Sequence, residues 1–284
     1  MIRIKLSVTM LIAISLLTIL ALPRLRAVTA ALTAPLNAPL TTSDKPNGST
    51  PRTPVLIELF TSEGCSSCPP ADALLEKLDR SQPVPAAEMI VLSEHVDYWN
   101  DIGWKDPYSS RQFSIRQGDY AHRFQLEGPY TPQMVVDGDA QIVGSDERQA
   151  LHVTALHANE SAAKLPVALS APHLQGADTL VVHVDVGSPR PPAKLKSAQV
   201  WIALADDSDQ SSVKRGENAG RILRHVAVVR TLTQVGTVEA NNAFSKDVAV
   251  STANTTLQNL RVVAFVQEGV AGRVLGVAST RLAN

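Results

Sequence analysis

Val55-Leu56-Ile57-Glu58-Leu59-Phe60-Thr61-Ser62-Glu63-Gly64-Cys65-Ser66-Ser67-Cys68-Pro69-Pro70-Ala71-Asp72 is the stretch that decides the reading of this chain. Its first six residues make a short, nearly continuous apolar run, as a strand buried on both faces requires. Residues 61–64 turn the chain, and Cys65 is expected to open a helix in which Ala71, Leu74, Leu75 and Leu78 recur at helical spacing. Pro69 and Pro70 fall in or near its first turn, where a missing N–H costs little. A helix N-terminus offers free N–H groups and a positive dipole end, which favour a thiolate over a thiol.

Downstream, residues 88–93 read as a second buried strand, and residues 95–107 as an ordered polar and aromatic loop containing Tyr98, Trp99 and Trp104. Residues 109–124 have helical character. Residues 133–136 and 140–143 flank Asp137-Gly138, a hairpin signature. Residues 146–159 form a last helix with Ser145 as its cap. The order strand, helix, strand, helix, hairpin, helix is that of a thioredoxin-like α/β domain, placed at residues 54–163. From residue 164 to 284 the pattern changes. Residues 165–174, 179–186, 198–205, 223–235, 244–250, 260–267 and 273–280 read as short strands between Gly, Pro, Asp and Asn clusters, which favours a separate antiparallel β-sandwich domain.

The N-terminus carries Arg3 and Lys5, then an apolar run over residues 6–22, then small residues at Val28 and Ala30. This is the pattern of a signal peptide over residues 1–30. The run is shorter than the ~20 residues a membrane span usually needs, which favours a cleaved signal over an uncleaved anchor, and no stable span is expected after signal removal. Residues 31–53, rich in Pro, Thr, Ala and Asn, read as a flexible tether. The expected location is therefore periplasmic or secreted. Formal net charge is −1, with no block of one sign, which gives no electrostatic footprint for nucleic acid.

Export places the two cysteines of the chain where disulfides persist. As a staple the pair is poorly placed: closing a four-residue loop yields about 2 kcal/mol, against nearly 5 for a hundred-residue loop. As a redox centre it is well placed, because a thiolate at Cys65 can attack a partner's disulfide and Cys68 can resolve the product. A Cys₄ zinc site is excluded by the cysteine count. Glu58 sits among apolar neighbours, where a buried carboxylic acid has a raised pKa and can pass a proton to the resolving thiol; its alternative is a carboxylate paired with Lys or Arg. His95 and Asp97 follow the second strand, at the end where sites of open α/β sheets gather. His95 is a candidate neighbour of the thiolate and substrate; it is alternatively a Cu(I) ligand with Cys65 and Cys68, or a loop histidine held by hydrogen bonds. His122, His152, His157, His173, His183 and His225 show no metal-ligand spacing. Asp206, Asp207 and Asp209 read as a solvated loop rather than a calcium site, lacking the later Gly and Glu. Residues 215–224 read as a basic, glycine-containing stretch able to contact a partner or, equally, as a long surface loop.

The run from Glu58 to Asp72 resembles an uncharacterised bacterial family of secreted thioredoxin-like proteins. So do His95-Val96-Asp97-Tyr98-Trp99 with Gly103-Trp104-Lys105-Asp106-Pro107, residues 130–138, and Gly216-Glu217-Asn218-Ala219-Gly220-Arg221. The resemblance implies that Thr131-Pro132 is a cis-proline loop facing the cysteines, with Thr131 offering backbone hydrogen bonds to a bound peptide. Thioredoxins also carry an acid in the strand that holds Glu58, one residue nearer the cysteine. The chain departs from them in lacking Trp-Cys-Gly-Pro-Cys and in placing Gly64 before the first cysteine. The expected function is thiol–disulfide exchange outside the cytoplasm with protein thiols or disulfides, needing no cofactor and no resident metal. The site is Cys65, Cys68, Pro132 and Glu58, with Thr131 and His95 toward the substrate. The alternatives are a copper metallochaperone of the envelope and a non-catalytic binding protein.

Overall fold

The computed structural model describes residues 51–170, 172–188, 197–239, 242–253, 255 and 257–282. The expected signal peptide, and the expected tether up to residue 50, lie outside the described residues. The first half runs β1 (Thr53–Thr61), α1 (Pro69–Ser81), β2 (Ala87–His95), α2 (Arg111–Arg123), β3 (Gln133–Val136), β4 (Ala140–Val143) and α3 (Glu147–Ala158). The second half holds β5 (Val167–Leu169), β6 (His173–Leu174), β7 (Thr179–Val186), β8 (Ser197–Ser212), β9 (Ile222–Glu239), β10 (Phe244–Ser251), β11 (Leu260–Gln267) and β12 (Val274–Arg281). Two short 3-10 turns, at Ser161–Ala163 and Leu257–Asn259, join elements. Among the described residues no helix is long and apolar enough to cross a membrane.

β1 is the axis of the first half. It pairs parallel with β2, from Thr53 beside Ala87 to Thr61 beside His95, and antiparallel with β3. The β3–β4 turn needs left-handed backbone, and both Asp137 (φ 48°) and Gly138 (φ 63°) supply it. A Cβ on Gly138 would stand 2.1 Å from the Gly272 carbonyl oxygen, so only glycine fits there. α3 is capped by Asp146, whose side chain accepts from the Gln149 N–H, one residue later than the expected Ser145.

The expected boundary at residues 163/164 does not divide the structure. β12, β11, β8 and β9 continue the sheet of the first half, giving one sheet in the order β12-β11-β8-β9-β2-β1-β3-β4. The link is a single parallel pairing of Val228 with Ser93. The Val274 N–H also donates to the Asp137 carbonyl (2.7 Å), which brings the start of β12 back onto the β3–β4 turn. The reason lies in two strands buried on both faces. Val200, Ile202 and Leu204 of β8 and Val262, Ala264 and Val266 of β11 pack toward the second sheet, β10-β7-β5 with β6 beside β7. Ala203, Ala205, Val263 and Phe265 on their other faces join the core of the first half. The two sheets do enclose an apolar layer, but one wall belongs to both halves. Asp206, Asp207 and Asp209, expected in a loop, lie within β8, where the Asp207 carboxylate is paired with Arg261 and Arg281.

Candidate functional site

The site is built at the end of β1. The Gly64 N–H donates to Ser62 Oγ (3.1 Å) and the Cys65 N–H to the Ser62 carbonyl (3.1 Å), so the chain turns tightly after Thr61. The Cys68 N–H then donates to the Cys65 carbonyl (3.2 Å), and Cys65 and Cys68 are joined by a disulfide with Cα atoms 5.4 Å apart. The helix opens at Pro69, not at Cys65 as expected, with Cys68 as its N-cap. Pro69 and Pro70 fill positions whose N–H groups would have no intrahelical acceptor, while Ala71 and Asp72 donate to the Cys68 carbonyl. Neither cysteine has exposed surface, whereas Ser66 and Ser67 are open to solvent. The Ser67 hydroxyl lies 3.4 Å from the Cys65 sulfur, the only protein group hydrogen-bonded to either sulfur among the described residues.

Three loops close over this turn. In the first, Trp99 packs against Gly64, where a Cβ would stand 3.0 Å from the Trp99 Cβ. Its indole N–H donates to Thr131 Oγ1 (2.9 Å), fixing the second loop, in which the Thr131–Pro132 bond is cis. Pro132, Leu59 and Ala71 close around Gly144, so Pro132 stands beside the first turn of α1. The third loop is the β8–β9 connection. Buried Asn218 donates through Nδ2 to the carbonyls of Glu63 and Cys65 (both 2.9 Å), and the Glu217 carboxylate accepts from the Ser66 N–H (3.0 Å). Those bonds to Ser66 hold the Glu217 carboxyl below the usual range. Residues 215–224 are thus a largely exposed stretch anchored on the cysteine turn through Glu217 and Asn218.

Beneath the turn lies a buried set of acids and histidines. Glu63 accepts from the Trp104 indole (2.7 Å), from Ser211 and from His225 Nε2 (3.2 Å), while its own N–H donates to Asp106 (2.9 Å). His95 Nδ1 lies 2.7 Å from Asp106, and its ring stands edge-on to that of His225, with centroids 4.7 Å apart. Burial alone would push His95 down, but the charge and hydrogen bond of Asp106, with Asp72 and Glu63, hold it above the ordinary imidazole value. Burial would raise Asp106 in turn, and the His95 charge together with the Glu63 and Tyr108 N–H groups brings it below the usual range. His95 is the last residue of β2 and wholly buried. With Cys65 and Cys68 joined as a disulfide, no group of three or more His, Cys, Asp or Glu side chains is placed to hold a metal ion among the described residues.

Glu58 is elsewhere. Side chains alternate along a strand, so Glu58 and Thr61 leave β1 on opposite faces. Thr61 faces α1, donating to Asp72 (2.9 Å). Glu58 faces α2, where Arg116 Nε donates to it (2.7 Å) and so does the Tyr120 hydroxyl (2.6 Å). It is the paired carboxylate rather than the proton carrier of the cysteines. Burial and the Glu58 charge push its neighbour Glu94 well above the usual carboxylate range, against the pull of Arg116. Gln267 of β11 completes this group on Arg116 (3.1 Å) and Tyr120 (2.8 Å), tying the two halves together.

Sequence reasoning missed Glu63, Asp72, Asp106, Asn218 and His225. Glu63 and Asp72 lie inside the decisive stretch, and Asp106 and Asn218 within the motifs flanking it. Their signal was the presence of acids and an amide where a turn against an apolar strand must be buried. His225 had none, because it reads as one polar residue in a strand.

Residues 56–267 match a family described as "Protein of unknown function (DUF1223)". No curated protein matches the chain. Among solved structures, a protein from Agrobacterium tumefaciens determined in a structural genomics programme is similar with a TM-score of 0.64 at 24% identity, covering 82% of this chain and 96% of that one. HBP35 of Porphyromonas gingivalis is similar with a TM-score of 0.56 at 13% identity, covering 81% and 76%. At these identities the likeness is one of fold alone.

Proposed function

The chain belongs to the DUF1223 family, and we propose that it is an extracytoplasmic thiol–disulfide oxidoreductase working through Cys65 and Cys68. The observation that carries this reading is the disulfide itself. It closes a short turn between a buried strand and a helix N-terminus, with buried acids below it. The strand order β2-β1-β3-β4, with α1 leading away from the cysteines and cis Pro132 beside its first turn, supports a thioredoxin-like first half. Export is supported by the basic start and apolar run of residues 3–22.

In this reading a partner thiolate bonds to Cys65 Sγ and the Cys65–Cys68 bond breaks, its electron pair leaving on Cys68. A second partner thiol, losing its proton, attacks the partner sulfur of the mixed disulfide and expels Cys65 as a thiolate. Two electrons pass from the partner dithiol to the protein, and the partner becomes the disulfide. The Ser67 hydroxyl stands where it can donate to the Cys65 thiolate.

A second reading, a binding protein with a structural disulfide, is favoured by one observation: both sulfurs are covered and the Glu217-Asn218 loop holds the turn shut. Trapping separates the two. Full-length Cys68→Ser, recovered from the extracytoplasmic fraction, should carry mixed disulfides with other proteins through Cys65, and Cys65→Ser almost none. The absence of adducts on both variants would support the second reading.

A further inference from the structure

Asp72 stands one helical turn beyond Cys68. Its N–H donates to the Cys68 carbonyl (3.1 Å), which places the two side chains at i and i+4 on one helix face, with Cβ atoms roughly 5–6 Å apart. The Asp72 carboxyl is 5% exposed and takes a hydrogen bond from Thr61 on one oxygen. Its other oxygen lies 3.9 Å from His225 Nδ1, a buried ring nitrogen with no hydrogen-bond partner among the described residues. His225 Nε2 is held against Glu63. Two cavities open along this side of α1. One, of ≈ 290 Å³, is lined by Asp72 between Pro69 and Leu223; the other, of ≈ 370 Å³, is lined by His225 between Glu76 and Asp209.

Resting on the oxidoreductase reading, we propose that Asp72 and His225 form the proton route of the cysteine pair. Asp72 exchanges a proton with the Cys68 sulfur on one side and with water in the cavity it lines on the other, and His225 faces its second oxygen and sets how readily it holds the proton. The chemistry requires such a route because the sulfurs themselves have no exposed surface. When the Cys65–Cys68 bond breaks, the electron pair on Cys68 takes the Asp72 proton, and water in the cavity that Asp72 lines replaces it. In the oxidising direction Asp72 takes the proton from Cys68 as that sulfur attacks the mixed disulfide on Cys65. The partner's leaving thiolate carries the electron pair away.

The groups facing Asp72 suit this use. Burial raises its carboxyl above the usual range; His225 and His95 oppose that rise, as does the Thr61 hydrogen bond, while Asp106 adds to it. An acid shifted upward holds a proton nearer the pH at which thiols exchange. Glu58 is excluded from the route by its position on the opposite face of β1 and its pairing with Arg116.

The test follows resolution of the mixed disulfide that the reduced full chain forms with oxidised glutathione, between about pH 5 and 9. Asp72→Asn should form the adduct at the wild-type rate and resolve it about 100-fold more slowly near pH 7, the scale of a lost proton carrier. Asp72→Glu should recover part of that rate. His225→Gln should slow resolution and change its pH profile. A second measurement needs no variant: the infrared difference between oxidised and reduced wild-type protein should contain a carboxyl band that moves on labelling aspartate with carbon-13. Wild-type resolution rates and pH profile in Asp72→Asn, or no aspartate band, would overturn the route and leave the exchange activity standing. A wild-type protein that forms no adduct would remove both.

Discussion

Three buried carboxylates flank the cysteines, Glu58 and Glu63 before them and Asp72 after, and one alternation separates Glu58 from Asp72. The sequence leaves Glu58 open as a proton carrier or as a carboxylate paired with Lys or Arg. The period of two in β1 gives Thr61 to α1 and Glu58 to α2, and Glu58 meets Arg116 there. That alternation was readable from the sequence; the partner was not, because Arg116 comes from a helix distant in the chain. His95 was legible as important but not as buried, since its partners Asp106, Glu63 and Asp72 come from separate segments. Its pairing has a consequence in pH. The raised His95 stabilises the fold fully below the ordinary imidazole pKa of about 6.5, and that contribution is lost as pH rises through the folded value. The lowered Asp106 contributes fully above its ordinary value of about 4, and that contribution is lost as pH falls through the folded one. The pair therefore works between about pH 4 and 6.5 and weakens above. In Tm measurements His95→Gln should lose most relative to wild type inside that window, and the two curves should converge at alkaline pH. A constant gap at all pH would contradict the pairing.

Among elements, the strands and helices around the cysteines were readable because each carries its own pattern. β3, β4, β7 and β11 begin and end where their residues predict. The start of α1 was misplaced by the assumption that the first cysteine opens the helix; two consecutive prolines suit first-turn positions better. The β8–β9 connection was recognised as a motif but not as a cover, since nothing local in a loop states what it docks on. Asn218 is its anchor, with two hydrogen bonds to the cysteine turn. If this loop must lift before a thiol reaches the disulfide, Asn218→Ala should speed reduction by dithiothreitol about tenfold, the effect of roughly 1.4 kcal/mol removed from opening. The change should also cost about 1–3 kcal/mol of stability through the unpaired carbonyls. An unchanged reduction rate in a destabilised variant would show that the loop does not gate the site.

At the scale of the molecule, the sequence reading divided the chain where its pattern changes, at residue 164. Pattern is a local property, and it does not report that β8 and β11 serve two cores at once. One sign was present: residues 260–267 are nearly continuously apolar, as a strand covered on both faces must be, whereas residues 179–186 alternate. Without the later strands, the first half loses Ala203, Ala205, Val263 and Phe265 from its core and Gln267 from the Arg116 group. A fragment of residues 51–163 should therefore show no cooperative unfolding transition in urea. A sharp transition with intact exchange at Cys65 would mean that the first half is autonomous.

The central claim is that the disulfide turns over, and its equilibrium reduction potential tests that most directly. Incubation of the full chain in graded dithiothreitol or glutathione buffers, followed by thiol alkylation and mass spectrometry, gives the potential of the Cys65–Cys68 pair. Exchange with protein partners predicts a value between about −120 and −270 mV, the range of disulfide-exchange proteins. A value below about −300 mV, where structural disulfides of exported proteins lie, would contradict the account.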